Sequence, residues 1–147
     1  MTETHVYVET FRGTVAPSDC DHLGHMNVQY YIRAVSDGMY SVMIHLGLTL
    51  DEIRRRRISF AAVRAQMEFH HELYSGDVIF LESALVRIGT KSATFRHRLK
   101  NAATLEVAMS AEFQCALLDL NERRAVVIPD DVRIAAEKYF RVLSTNV

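Results

Sequence analysis

One run of apolar residues limits the folds open to this chain. Val28, Tyr31, Ile32, Val35, Met39, Val42, Met43 and Leu46 recur in steps of three and four. That spacing lines one face of a helix. Asn27 stands directly before the run, and its side-chain oxygen can accept an orphan N–H of the first turn. Gly47 is a natural stop. A helix of about 19 residues at ~1.5 Å per residue is about 28 Å long. Ala34, Gly38 and Ser41 would admit close packing on a second side, so the spacing predicts a buried central helix.

The rest of the chain has a different period. Residues 5–15 are rich in β-branched and aromatic types and predict a strand, which Pro17 ends because it cannot donate to a ladder. After the helix, Thr49 caps a short helical turn over 50–55. Four strands follow, over 58–71, 78–88, 92–100 and 106–118. Ser75-Gly76-Asp77, Gly89-Thr90-Lys91, Asn101-Ala102-Ala103 and the stretch from Asp119 supply the turns. Alternation is clearest in the third, where Ala93, Phe95, His97 and Leu99 oppose Thr94, Arg96, Arg98 and Lys100. A short strand over 125–128 and an amphipathic helix over 131–143 complete the chain. Short connections favour antiparallel neighbours over crossovers. The expected fold is α+β, an antiparallel sheet of five or six strands curled around one helix in a single domain over 1–147.

At 147 residues the chain can build one substantial core. A formal charge of -1 gives no broad pull toward nucleic acid or an anionic membrane. The four arginines at 54–57 suit a solvated helix end. Cys20 and Cys115 form neither a disulfide framework nor a CxxC site. The polar amino terminus shows no leader pattern, and no run approaches the roughly 18 apolar residues of a membrane span. A cytoplasmic soluble protein is expected.

Chemistry concentrates just ahead of the long helix. Asp19, Asp21, His22, Gly24, His25 and Asn27 fall within nine residues. Asp21 lies near a helix N-terminus, where the dipole keeps a carboxylate ionised, able to activate water or to attack a carbonyl; capping a turn is its plainer role. The first-turn N–H groups around Val28 lack intrahelical partners and could stabilise a developing oxyanion. Gly24 permits a positive φ or a close ligand approach. His25 could donate to a substrate carbonyl or orient Asn27. A metal cluster of Asp19, Asp21, His22 and His25 is disfavoured, because His70 and His71, adjacent on a strand, would point to opposite faces. Cys20 has no base partner and suits packing. Serine-hydrolase, P-loop and dinucleotide-binding signatures are absent.

The run Ser18-Asp19-Cys20-Asp21-His22-Leu23-Gly24-His25-Met26-Asn27, followed by Tyr30-Tyr31 and a long helix, resembles the hotdog-fold acyl-CoA thioesterases, specifically the 4-hydroxybenzoyl-CoA thioesterase-like group. Phe69 to Asp77 is similar to that family's strand ending in a G-D turn. Arg87 to Ser92 is similar to its K-S segment. The resemblance spans about residues 6–140. It implies a sheet wrapped around the helix, homodimers or homotetramers with interfacial sites, acyl-CoA as substrate, and neither metal nor cofactor. By the same resemblance Asp21 is general base or nucleophile and the backbone near Val28 polarises the thioester carbonyl, with His25 and Asn27 assisting. Lys91, Ser92 and Gly89 fall where relatives contact CoA. Tyr30, Tyr31, Phe60, Met67 and Glu68 are expected along the acyl pocket. Many relatives carry a second asparagine where this chain has Val28, and some an arginine where it has Gly89. An inward Glu68 would suit a polar or cationic acyl group, such as a carnitine-pathway intermediate. A dehydratase on the same fold would need a proline-rich histidine loop, and the chain has only Pro17 and Pro129. A non-catalytic acyl-CoA binding module is the other alternative.

Overall fold

The computed structural model describes residues 5–141. Its elements run β1 (Val8–Thr14), α1 (Val28–His45), α2 (Leu50–Arg56), β2 (Ile58–Phe69), β3 (Val78–Ile88), β4 (Ser92–Asn101), β5 (Val107–Asp119), β6 (Arg124–Ala125) and α3 (Asp130–Phe140). The strands form one six-stranded antiparallel sheet in the order β1-β3-β4-β5-β2, with β6 added on β5. The long β2 is therefore an edge strand. Helix α1 lies along the inner face of the sheet.

Two apolar clusters meet beneath α1. One joins Val42 and Leu46 to Phe60, Phe95, Leu117 and Phe140. The other joins Tyr31, Ala34 and Val35 to Met26, Leu81, Leu99 and Met109. Gly38 lets helix and sheet approach closely. A Cβ there would stand 2.6 Å from Leu81 Cδ2 and 2.8 Å from Thr10 Oγ1. The Thr10 hydroxyl is already held at 2.8 Å from Ser83 Oγ and cannot move aside freely. Gly38→Ala is expected to destabilise the fold by about 1–3 kcal/mol, an overpacking cost that urea-midpoint measurements would register.

Several boundaries differ from the sequence expectations, each for a local reason. Helix α1 is not buried all round. Val28 and Ile32, both on the predicted stripe, are 50% and 47% exposed, because the sheet covers only one side of the helix. Strand β2 stops at Phe69, since His70 and His71 both turn their N–H groups to the Ala108 carbonyl. The last strand is two residues long and starts at Arg124; Ile128 instead donates to Thr90 in the β3–β4 turn. Helix α3 ends at Phe140, where Arg141 takes a left-handed conformation (φ 52°); the expected residues 142 and 143 lie outside those described.

Candidate active site

The segment between β1 and α1 is folded by its own polar groups. Asp19 Oδ2 accepts the Ala16 N–H at 2.9 Å, and its carbonyl accepts the Asn27 N–H at 2.9 Å. Cys20 and Met26 form an isolated antiparallel bridge that closes the loop. Gly24 turns it with φ 86°, while the space beside it is open, so glycine is needed for its backbone alone.

Asp21 sits at the base of this loop. Its Oδ1 accepts the Leu23 N–H at 2.9 Å, and its Oδ2 accepts the Asn27 Nδ2–H at 2.9 Å. Two donors to the charged form hold the carboxyl below its ordinary range, the Leu23 N–H contributing most and Asn27 next, with His25 and His22 nearby contributing less. Asn27 is oriented at both ends, since its Oδ1 accepts the Gln29 N–H at 3.1 Å and caps α1. The next N–H, that of Val28, has no acceptor among the described residues. An ionised carboxylate and a free helix-start donor are thus joined through Asn27. Replacing Asn27 with Ala removes the cap, at about 1 kcal/mol, and one donor to Asp21. The expected result is a lower urea midpoint and an Asp21 titration moved upward, checked by NMR of the side-chain carboxyl.

A cavity of about 330 Å³ opens beside the helix start, lined by His25, Met26, Val28 and Tyr31 and by Phe69, His70, His71 and Glu72. Tyr31 is buried and meets Phe69 edge-on at 5.1 Å. Burial, reinforced by the Glu72 charge, pushes its phenol up. His25 places Nδ1 3.2 Å from the Met26 carbonyl and Nε2 3.8 Å from Glu72. Met26 donates to Leu73 at 2.7 Å, which pins the loop against the segment after β2. That segment, Phe69 to Glu72, supplies half of the cavity and was not foreseen; the closely spaced aromatic, histidines and acid were its only signal.

The other expected site residues lie elsewhere in the protomer. The Tyr30 hydroxyl lies 3.5 Å from the Ser18 carbonyl and braces the loop. Phe60 packs edge-on against Phe95 at 5.5 Å and lines a separate apolar groove of about 460 Å³. Nine residues of strand, roughly 30 Å, separate it from Phe69. Met67 packs on the inner face. Glu68 is its neighbour on the opposite face, beside Gln66 and Arg96, so it offers no carboxylate to a pocket on the helix side. Gly89 is buried, and its carbonyl accepts from Arg133 Nη2 at 2.5 Å. Lys91 on the β3–β4 turn and Ser92 at the start of β4 are exposed. Among the described residues no three His, Cys, Asp or Glu side chains are arranged to hold a metal ion. No described helix is long and apolar enough to cross a membrane.

Residues 15–136 match the thioesterase-like superfamily. The chain belongs to that superfamily. Its fold is the hotdog fold, a curled antiparallel sheet around α1. A Staphylococcus aureus protein solved in complex with CoA aligns over 99% of this chain and 92% of its own, with TM-score 0.83 and 18% identity. A gentisyl-coenzyme A thioesterase covers 86% of this chain and 98% of its own, with TM-score 0.76 and 21% identity. A 1,4-dihydroxy-2-naphthoyl-CoA thioesterase from Synechocystis covers 90% and 95%, with TM-score 0.75 and 15% identity. No curated protein matches the chain at a significant level.

Proposed function

We propose that the protein is an acyl-CoA thioesterase, a single hotdog domain whose site is built on Asp21 and the start of α1. Asp21 takes a proton from water as the water oxygen attacks the thioester carbonyl, or attacks that carbonyl itself. The unpartnered Val28 N–H receives the oxygen that gains charge. Collapse breaks the C–S bond and the CoA thiolate leaves, taking up a proton; the water route yields the carboxylic acid directly, and the covalent route leaves an Asp21 acyl anhydride that water then cleaves to the acid and free Asp21. The observation that carries this reading is the pairing of Asp21 with the α1 start through Asn27, at 2.9 Å and one residue apart. Aryl acyl groups are the first substrates to test; the edge-on pair Tyr31 and Phe69, and structural neighbours named for gentisyl-CoA and dihydroxynaphthoyl-CoA, support that choice.

The protein is proposed to act as a homo-oligomer. Among the described residues strand β2 leaves one edge unpaired along its 12 residues, and α1 exposes Val28, Ile32, Tyr40 and Ile44. An open edge beside apolar surface is a ready pairing template for a second copy. A panel of short, long, aromatic and cationic acyl-CoAs, followed by thiol release, tests the function. Release from at least one ester is expected. Calorimetric binding of these esters without release would assign a non-catalytic binding module instead.

A further inference from the structure

The free edge of β2 presents a different set of side chains to each face of the sheet. Phe60 and Ala62 face the α1 side, where they line the apolar groove. The strand then bulges between Ala62 and Arg64. The extra residue reverses the alternation, so Arg64, Gln66 and Glu68 stand on the outer face, paired with Gln114, Glu112 and Ser110 of β5. Ala65, Met67 and Phe69 take the α1 side, where Met67 joins the core and Phe69 meets Tyr31.

Two charges of the outer row are unused within the protomer. On the same face Arg96 is held by Glu112 at 3.1 Å, and Arg98 and Lys100 by Glu82 at 2.8 and 2.7 Å. Among the described residues Arg64 and Glu68 form no salt bridge. They share a face, with Gln66 midway between them. A twofold pairing of two such edges sets residue i against j and j against i, and it keeps outer side chains against outer ones when it is centred on a residue. Centred on Arg64 or on Glu68, it sets like charges directly opposite, which is destabilising. Centred on Ala65 it sets alanine against alanine and makes no ion pair; centred on Met67 it crowds two methionines. Centred on Gln66, it places Arg64 opposite the partner's Glu68 and Glu68 opposite the partner's Arg64. On the α1 side the same centre sets Ala65 against the partner's Met67, small against large, and does so twice. One register satisfies both faces.

We propose that β2 pairs with β2 of a second copy about a twofold axis at Gln66, and that this register brings the second copy to the cavity at the α1 start. The register rests on the homo-oligomer proposed above and not on thioester hydrolysis. In it Phe69, 52% exposed in the protomer, meets the bulge of the second copy at the partner's Val63, a residue 68% exposed in the protomer. Phe69 lines the cavity, so the partner's bulge supplies a side that one chain leaves open.

Cysteine cross-linking reads the register directly. Directly opposite residues have Cβ atoms about 4.5–5.5 Å apart, within reach of a disulfide after a small shift. Arg64 and the partner's Arg64 would lie about 13 Å apart along the strand. Under mild oxidation Q66C forms a covalent dimer, R64C and E68C singly do not, and R64C co-expressed with E68C does. Wild type, which carries Cys20 and Cys115, is the control. A wild type that sediments as a monomer at every concentration, a Q66C dimer that stays unlinked, or linkage of R64C by itself overturns the register. Sedimentation gives a second reading. R64E sets carboxylates opposite each other at both pairs and raises the dimer dissociation constant at least about tenfold; R64E/E68R returns it to within about threefold of wild type. Dissociation of R64E equal to wild type, or no return in the double variant, overturns the ion pairs. At concentrations where R64E is monomeric, its hydrolysis of the best acyl-CoA of the panel falls at least about tenfold; undiminished hydrolysis overturns the second copy's part in the cavity. Linkage of Q66C with no hydrolysis by wild type leaves the register standing and removes the thioesterase reading.

Discussion

Replacing Asp21 with Asn is expected to lower kcat/KM for acyl-CoA hydrolysis by about 10²- to 10⁴-fold, the range for a positioned proton acceptor. The substitution keeps the shape of the side chain and removes its charge. It also puts an amide where Leu23 N–H and Asn27 Nδ2–H both require an acceptor, so one donor loses its partner. Circular dichroism and a melting curve separate that local cost from loss of chemistry. A folded variant with wild-type rates would remove Asp21 from the mechanism. The carboxyl of wild type lies below its ordinary range. Its share of the kcat/KM profile should therefore stay flat from neutral pH down to about pH 4 and fall only below it. Single-turnover hydrolysis in ¹⁸O water divides the two chemistries. Label in the Asp21 carboxylate marks covalent attack with water opening the anhydride at Asp21; label confined to the product acid marks water attack at the acyl carbonyl.

Stability is expected to fall as pH drops from about 6.5 to about 4, through His97. This side chain is fully buried on the inner face. Its Nδ1 lies 2.7 Å from Ser83 Oγ, which in turn lies 2.8 Å from Thr10 Oγ1, and its ring meets Phe113 edge-on at 5.7 Å. Its Nε2 has no hydrogen-bond partner among the described residues. Burial depresses the imidazole from 6.5 to about 4. Above pH 6.5 both folded and unfolded chains hold it neutral. Below that value the unfolded chain takes up a proton and the folded chain does not, so each pH unit costs ~1.4 kcal/mol until the folded pKa is reached. The window from 6.5 to about 4 amounts to about 3 kcal/mol. Urea midpoints at pH 7 and pH 5 should differ for wild type and converge in His97→Gln. The paired carboxylates act lower on the scale, since Glu52 is pulled to about 2 by Arg55 and Arg56. Acid loss between pH 6.5 and 5 is thus assigned to the histidine.

Periodicity made α1 and the four main strands legible, because a helix face and a strand face repeat at different intervals and short polar turns separate them. Asn27 as the cap of α1, and Gly24 as a residue of positive φ, followed from backbone chemistry that neighbouring residues cannot alter. Glu68 and Phe60 lie away from the cavity at the helix start, since a period of two turns Glu68 to the opposite face from Met67 and nine residues of strand carry Phe60 away, while Met67 packs on the side of Tyr31. Placing His70 and His71 on β2 failed because the ladder ends where both N–H groups converge on Ala108.

The sequence by itself determined the local order of this protein: which stretches are helix or strand, and where α1 starts. These depend on neighbours a few residues apart. Only the tertiary structure decided what meets across long separations. It set Phe69 to Glu72 against His25 and Val28, buried His97 against Ser83 and Thr10, and turned Arg64, Gln66 and Glu68 to the outer face through a bulge in β2. Register is a property of paired strands, and one extra residue turns every later side chain to the other face. No single stretch of sequence carries that information.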